Sequence, residues 1–186
     1  MKKLCTLLSC ILLVSCASQV DVDYRAGLDL SNIKTFQVEP KPVNASTDPR
    51  IDNPFMQQRT VEALRAGFSA KGWRDAADSA DAQIKYHLVI KQEFETDDSG
   101  VYLGIGTGSR HSFFGMTYAF PDRQVASVDV LVLTIDILDA QGGLLWRGSL
   151  GRRLLGGSTP DSHRQLIQSM VAEILKQFPP QPTPPR

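Results

Sequence analysis

Apolar and polar positions recur along this chain with two distinct periods, and each period predicts an element. Ala82, Ile84, Tyr86, Leu88 and Ile90 alternate with Gln83, Lys85, His87 and Val89, the period of two that gives a strand one buried face, over Ala82 to about Glu95. Val125 to Leu138 carries Val128, Val130, Leu131, Val132, Leu133 and Ile135 with few polar interruptions, so it predicts a long, central strand. Asp139-Ala140-Gln141-Gly142-Gly143 follows with turn residues, and Leu144 to Arg152 completes an antiparallel hairpin. Earlier, Ile33 to Glu39 reads as a strand ended by Pro40 and Pro42, because proline has no N–H to donate to a ladder. The stretch from Lys41 to Arg50 is expected to be loop.

The helical period appears twice. Asn53-Pro54 is a cap followed by a residue whose φ is already helical, and Val61, Leu64 and Phe68 fall on one face of a helix expected from Pro54 to Lys71. Gly72 ends it, since glycine accepts the left-handed conformation common just past a helix, and Trp73 is expected to fold back onto the core. Thr159-Pro160 repeats the opening before Ile167, Met170, Val171, Ile174 and Phe178. Pro179 to Arg186, with five prolines in eight residues, predicts an exposed tail. The order strand, helix, strand, insertion, strand, strand, helix predicts a two-layer α/β sandwich, a mainly antiparallel sheet covered by two helices.

At the amino terminus Met1-Lys2-Lys3 is positive and Leu4 to Val14 is apolar apart from Thr6 and Ser9, the layout of a secretory signal. The run falls short of the roughly 20 residues a membrane-crossing helix needs. It ends in Leu13-Val14-Ser15-Cys16, which resembles the lipobox of bacterial lipoproteins. That resemblance implies recognition of Leu13, Val14 and Ser15 by the signal peptidase, cleavage before Cys16, and diacylglycerol and N-acyl chains on Cys16. Cys5 and Cys10 leave with the signal, so Cys16 keeps no cysteine partner in the mature chain. Ala17 after the cysteine favours the outer membrane over inner-membrane retention, with the domain facing the periplasm. The expected organisation is a signal at 1–15, lipidated cysteine and tether at 16–32, one α/β domain at 33–178 and the Pro-rich tail at 179–186.

Charge narrows the partners. Lys+Arg and Asp+Glu each total 20, and loss of Lys2 and Lys3 leaves 18 against 20, a net charge of −2. Nucleic-acid binders show a basic patch or alkaline pI instead, so no nucleic-acid partner is expected. The expected partners are the membrane and another envelope protein.

The chain as a whole resembles the bacterial lipoproteins of domain-of-unknown-function family 4136. The residues that carry the likeness are Val22-Asp23-Tyr24, Lys34-Thr35-Phe36, Lys71-Gly72-Trp73, Leu145-Trp146-Arg147-Gly148 and Phe178-Pro179-Pro180. The resemblance implies a small periplasm-facing lipoprotein and brings no reaction with it.

The insertion, at about 96–124, runs through Gly100-Val101-Tyr102-Leu103-Gly104-Ile105-Gly106-Thr107-Gly108 to Phe120. It lacks the Gly-Lys-Ser/Thr of a phosphate-cradling loop. It reads either as a flexible connection or as an interaction patch made by Tyr102, Phe113, Phe114 and Tyr118. Candidate chemistry is sparse. Of the three histidines, His87 lies on a strand, His163 in the first turn of the last helix and His111 in the insertion. Asp97-Asp98 and the pair Asp136 with Asp139 are the carboxylate candidates. No Gly-x-Ser-x-Gly elbow and no metal-ligand spacing of His or Cys is present, so neither enzymatic activity, nor a metal, nor a cofactor is expected. The expectation is a non-catalytic envelope module, the alternative a small-ligand or lipid-binding lipoprotein with a cleft near the insertion.

Overall fold

A computed structural model describes residues 20–44, 46, 48–76, 79–96, 100–102, 126–154, 157 and 159–180. Among these residues, seven strands and two helices form in the order β1 (Asp21–Tyr24), β2 (Thr35–Val38), α1 (Pro54–Ala70), β3 (Arg74–Asp75), β4 (Ala82–Thr96), β5 (Gly100–Tyr102), β6 (Ala126–Asp139), β7 (Leu144–Arg153) and α2 (Pro160–Lys176). One sheet holds all the strands, ordered β1-β7-β6-β4-β2-β3 with β5 against β4. Both helices cover one face, so the chain is a two-layer α/β sandwich. Pairing is antiparallel from β1 through β4 and for β5, while β2 runs parallel to both β3 and β4.

The covered face is built from alternate residues. Ile84, Tyr86 and Leu88 of β4 and Leu131, Leu133, Ile135 and Ile137 of β6 are buried against Leu64 and Phe68 of α1 and Ile167, Met170, Val171 and Ile174 of α2. Both helices start as their caps require. Asn53 Oδ1 accepts from Met56 N at 2.9 Å, and Thr159 and Ser162 cap each other reciprocally.

Residues expected to form only a tether are part of the sheet. β1 pairs antiparallel with β7, and Val20, Val22, Leu28 and Leu30 pack against the core. Val20, Val22 and Tyr24 alternate correctly for a strand, but four residues, two of them aspartates, give too short a pattern to stand out. β3 and β5, of two and three residues, were also absent from the expected order, and β5 falls inside the expected insertion. The stretch after β2, expected to be loop, follows the free edge of β4. Glu39 N and Val43 N donate to the carbonyls of Ile84 and Tyr86, both at 2.9 Å. Asn44 then pairs its side-chain amide with Leu88, accepting from N at 3.1 Å and donating to O at 2.7 Å.

Candidate functional site

The sheet face away from the helices carries its polar side chains in rows. Hydrogen-bond register places Asp23, Arg147, Asp136 and Lys85 side by side across four strands, with Asp21, Ser149, Thr134 and His87 in the next row. Asp136 is the hub. Its Oδ1 accepts from Arg147 Nε at 2.6 Å, and its Oδ2 accepts from Arg147 Nη2 at 2.7 Å, a bidentate pair. His87 Nε2 lies 3.1 Å from the same Oδ2.

Asp136 is 6% exposed. Burial works against its charge, but hydrogen bonds from Arg147 and His87 outweigh burial and hold the carboxyl below the usual aspartate range. An ionised carboxylate only accepts, so Nε2 of His87 is the protonated ring nitrogen here. The same pairing holds the Arg147 guanidinium above its ordinary value. In the adjoining row the Thr134 and Ser149 hydroxyls bond to each other at 2.9 Å, and Thr134 stands between His87 and Ser149. Two strand spacings, about 10 Å, separate His87 from Ser149. The cluster therefore presents a neutralised Asp–Arg–His array; among the described residues, the serine of the adjoining row, Ser149, stands too far from the histidine for nucleophilic catalysis.

The other sequence candidates separate. Asp139 lies in the β6–β7 turn, where Oδ1 accepts from Gly143 N at 2.7 Å and Gln141 N at 3.1 Å, so it makes no pair with Asp136. His163 is half-buried at the start of α2. Tyr102 belongs to β5, opposite Phe94. Leu13, Val14, Ser15, Cys16, Asp97, Asp98, His111, Phe113, Phe114 and Tyr118 lie outside the described residues, so the lipidation site and all of the expected interaction patch but Tyr102 do too. Among the described residues, no group of three His, Cys, Asp or Glu side chains is placed to hold a metal, and no helix is long and apolar enough to cross a membrane. A shallow groove of about 270 Å³ lies on the helix layer, lined by Ala63, Ala66, Gly67, Gln168, Val171 and Ala172.

Sequence reading missed the Asp136–Arg147–His87 cluster. Counting strand positions back from the Asp139–Gly143 turn pairs Leu138 with Leu144, and then Asp136 with Trp146. A bulge at Leu145 shifts the register so that Ile137 faces Trp146 and Asp136 faces Arg147.

The five motifs that carried the family resemblance meet in space, at the end of the sheet where β4 begins. Phe178 packs on Trp73 at 5.4 Å and on Trp146 at 5.3 Å between ring centroids, and Phe68 stacks on Trp73 and tilts against Phe36, both at 5.5 Å. Lys71 Nζ donates to the Phe178 carbonyl at 2.6 Å, while Val22, Asp23 and Tyr24 pair with Gly148, Arg147 and Trp146. Among the described residues, Trp146 Nε1 is a buried donor without a hydrogen-bond partner.

This fold, with its helix layer on one face and paired polar rows on the other, defines a single-sheet α/β module. Residues 20–180 match the family model described as a domain of unknown function, DUF4136, and the chain belongs to that family. No curated protein matches. Among solved structures, a PDZ domain protein from Parabacteroides distasonis ATCC 8503 is similar with a TM-score of 0.53 and 16% identity, over 88% of this chain and 36% of that one. The chain thus spans little more than a third of that protein's length, and the likeness is one of fold. A PelC dodecamer from Paraburkholderia phytofirmans aligns with a TM-score of 0.42 and 15% identity, over 84% of this chain and 94% of that one.

Proposed function

We propose that this protein is a cell-envelope lipoprotein, held through diacylglycerol and N-acyl chains on Cys16 at the periplasmic side of the outer membrane, whose domain is a non-catalytic interaction module. The observation that carries the reading is the position of Leu13-Val14-Ser15-Cys16 behind a short apolar run, directly ahead of β1, which starts at Asp21. A lipid at Cys16 supplies at least two acyl chains, the minimum for stable anchoring. The interaction reading draws support from the open sheet face. Its Asp136, Arg147 and His87 side chains are already paired with one another, which suits contact with a protein surface better than proton transfer.

The test is the intact mass and membrane partition of wild type beside Cys16→Ser, made in a bacterium with lipoprotein-processing enzymes. Wild type is expected to carry the added mass of the acyl groups and to sediment with membranes, and Cys16→Ser to lose both. Equal masses and equal partition would overturn the anchor. Envelope crosslinking from position 85 or 149 on the open face, compared with position 172 on the helix layer, tests the module. Partner capture from the sheet face alone supports it, and equal capture from both faces overturns it.

A further inference from the structure

The length of chain between Cys16 and the sheet determines which end of the domain meets the lipid. Five Cα steps separate Cys16 from Asp21, a reach of at most about 18 Å. Asp21 lies in the row of Ser149, Thr134 and His87, and β1 runs antiparallel to β7. The chain upstream of Asp21 therefore leaves toward the end of the sheet where β4 finishes and β6 begins. Five residues further along both strands stand Gln92 and Asp129, which are register partners, about 17 Å above the Asp21 row. A fully stretched Cys16 only just reaches the level of Gln92 and Asp129. The β4–β6 arm continues past it to Thr96 and Ala126.

The first turn of α1 stands at that same level. Arg50, four residues ahead of Pro54, bonds Asp129 through Nη1 and Asp48 through Nε and Nη2, which ties the start of the helix to the start of β6. There Phe55 is 68% exposed; at the opposite end Phe36, Phe68, Trp146 and Phe178 are 0–2% exposed and Tyr24 39%. The Arg59 guanidinium carbon lies 6.0 Å from the Phe55 ring centre. An exposed aromatic ring beside a long cationic side chain is the composition favoured at a membrane–water boundary.

Resting on the lipid anchor proposed above, we infer that the domain leans this end toward the headgroup surface, tilted because the β4–β6 arm overreaches the tether. Ser127 to Asp129, Lys91 to Glu93 and the Phe55–Arg59 turn then face the lipid, and the aromatic cluster around Phe178 points away. Asp52 and Glu93 balance Arg59 and Lys91 at this end, so the contact is held by the short tether and by Phe55 rather than by attraction to anionic headgroups.

Full-length lipidated protein in vesicles of phosphatidylethanolamine and phosphatidylglycerol tests this. Cys16 is the one cysteine left after signal removal and is occupied by lipid, so Ser127→Cys or Gln141→Cys adds a single free thiol for a donor dye. The two sites sit at opposite ends of β6, about 40 Å apart along the strand. Energy transfer to headgroup-labelled lipid is expected to be several-fold greater from position 127 than from 141, at low and high salt alike. Phe55→Asp is expected to lower transfer from 127 without releasing the protein. Equal or reversed transfer from protein that floats with the vesicles overturns the orientation and leaves the anchor standing. Unchanged transfer in Phe55→Asp removes Phe55 from the contact. Protein that does not float has no anchor, and the orientation falls with it.

Discussion

At position 148 a side chain as small as alanine would put its Cβ 2.3 Å from the Trp146 indole and 2.7 Å from Ile174, both rigidly held in the core. Gly148→Ala is therefore expected to cost about 1–3 kcal/mol by overpacking, read as a lower urea midpoint with an unchanged slope. Gly67 differs, because a Cβ there meets the end of the Leu175 side chain at 2.6 Å, which can rotate away. Removing a mid-helix glycine also gains up to about 1 kcal/mol of helix propensity, so Gly67→Ala is expected to be nearly neutral in the same titration. Asp136 carries a different prediction. Its folded-state carboxyl titrates below the usual range, so its stabilisation is fully present above about pH 4 and is lost as pH falls through the folded value. Asp136→Asn is expected to cost about 1–3 kcal/mol near neutral pH and to flatten the acid limb of a stability profile. An acid limb as steep as wild type would show that the Arg147 pair does not contribute.

The elements divide by length. Long segments with a sustained period were legible: β4, β6, β7, α1 and α2 lie within a residue or two of their expected bounds, and the Asn53-Pro54 and Thr159-Pro160 starts are the observed caps and first turns. Short segments were not. β1, β3 and β5 hold two to four residues each, and at that length a strand is defined by the neighbour that pairs with it rather than by its own pattern. The edge of β4 shows the same dependence, because nothing near Asn44 in sequence predicts that its amide will complete the ladder at Leu88. Asn44→Ala is expected to cost about 1–2 kcal/mol and to speed hydrogen exchange at the Leu88 amide while leaving β6 amides protected. Equal exchange in the two proteins would mean that the clasp does not hold in solution.

Across the whole molecule, two ends with different jobs emerge. One gathers Phe36, Phe68, Trp73, Trp146 and Phe178 into a single aromatic cluster, so the residues that mark the family are the ones that lock both helices to the sheet. Phe178→Ala is expected to cost about 3–5 kcal/mol, seen as a lower melting temperature, and to do so without changing membrane partition if anchoring resides in Cys16. The candidate site depended most on tertiary structure. The amino acids at 87, 136 and 147 were visible as a strand histidine, a strand aspartate and part of a family motif. Their meeting was not, because the Leu145 bulge adds one residue to β7, and in a strand one residue decides which face a side chain takes. By itself, the sequence determined the two amphipathic helices, the three long strands and hence the two-layer class, since these follow from local periodicity and capping chemistry. Only the tertiary structure decided that β1 closes the sheet edge, that Asp136 meets Arg147 and His87, and that distant motifs share one cluster. Each of those depends on register between strands far apart in the chain, which no local pattern encodes.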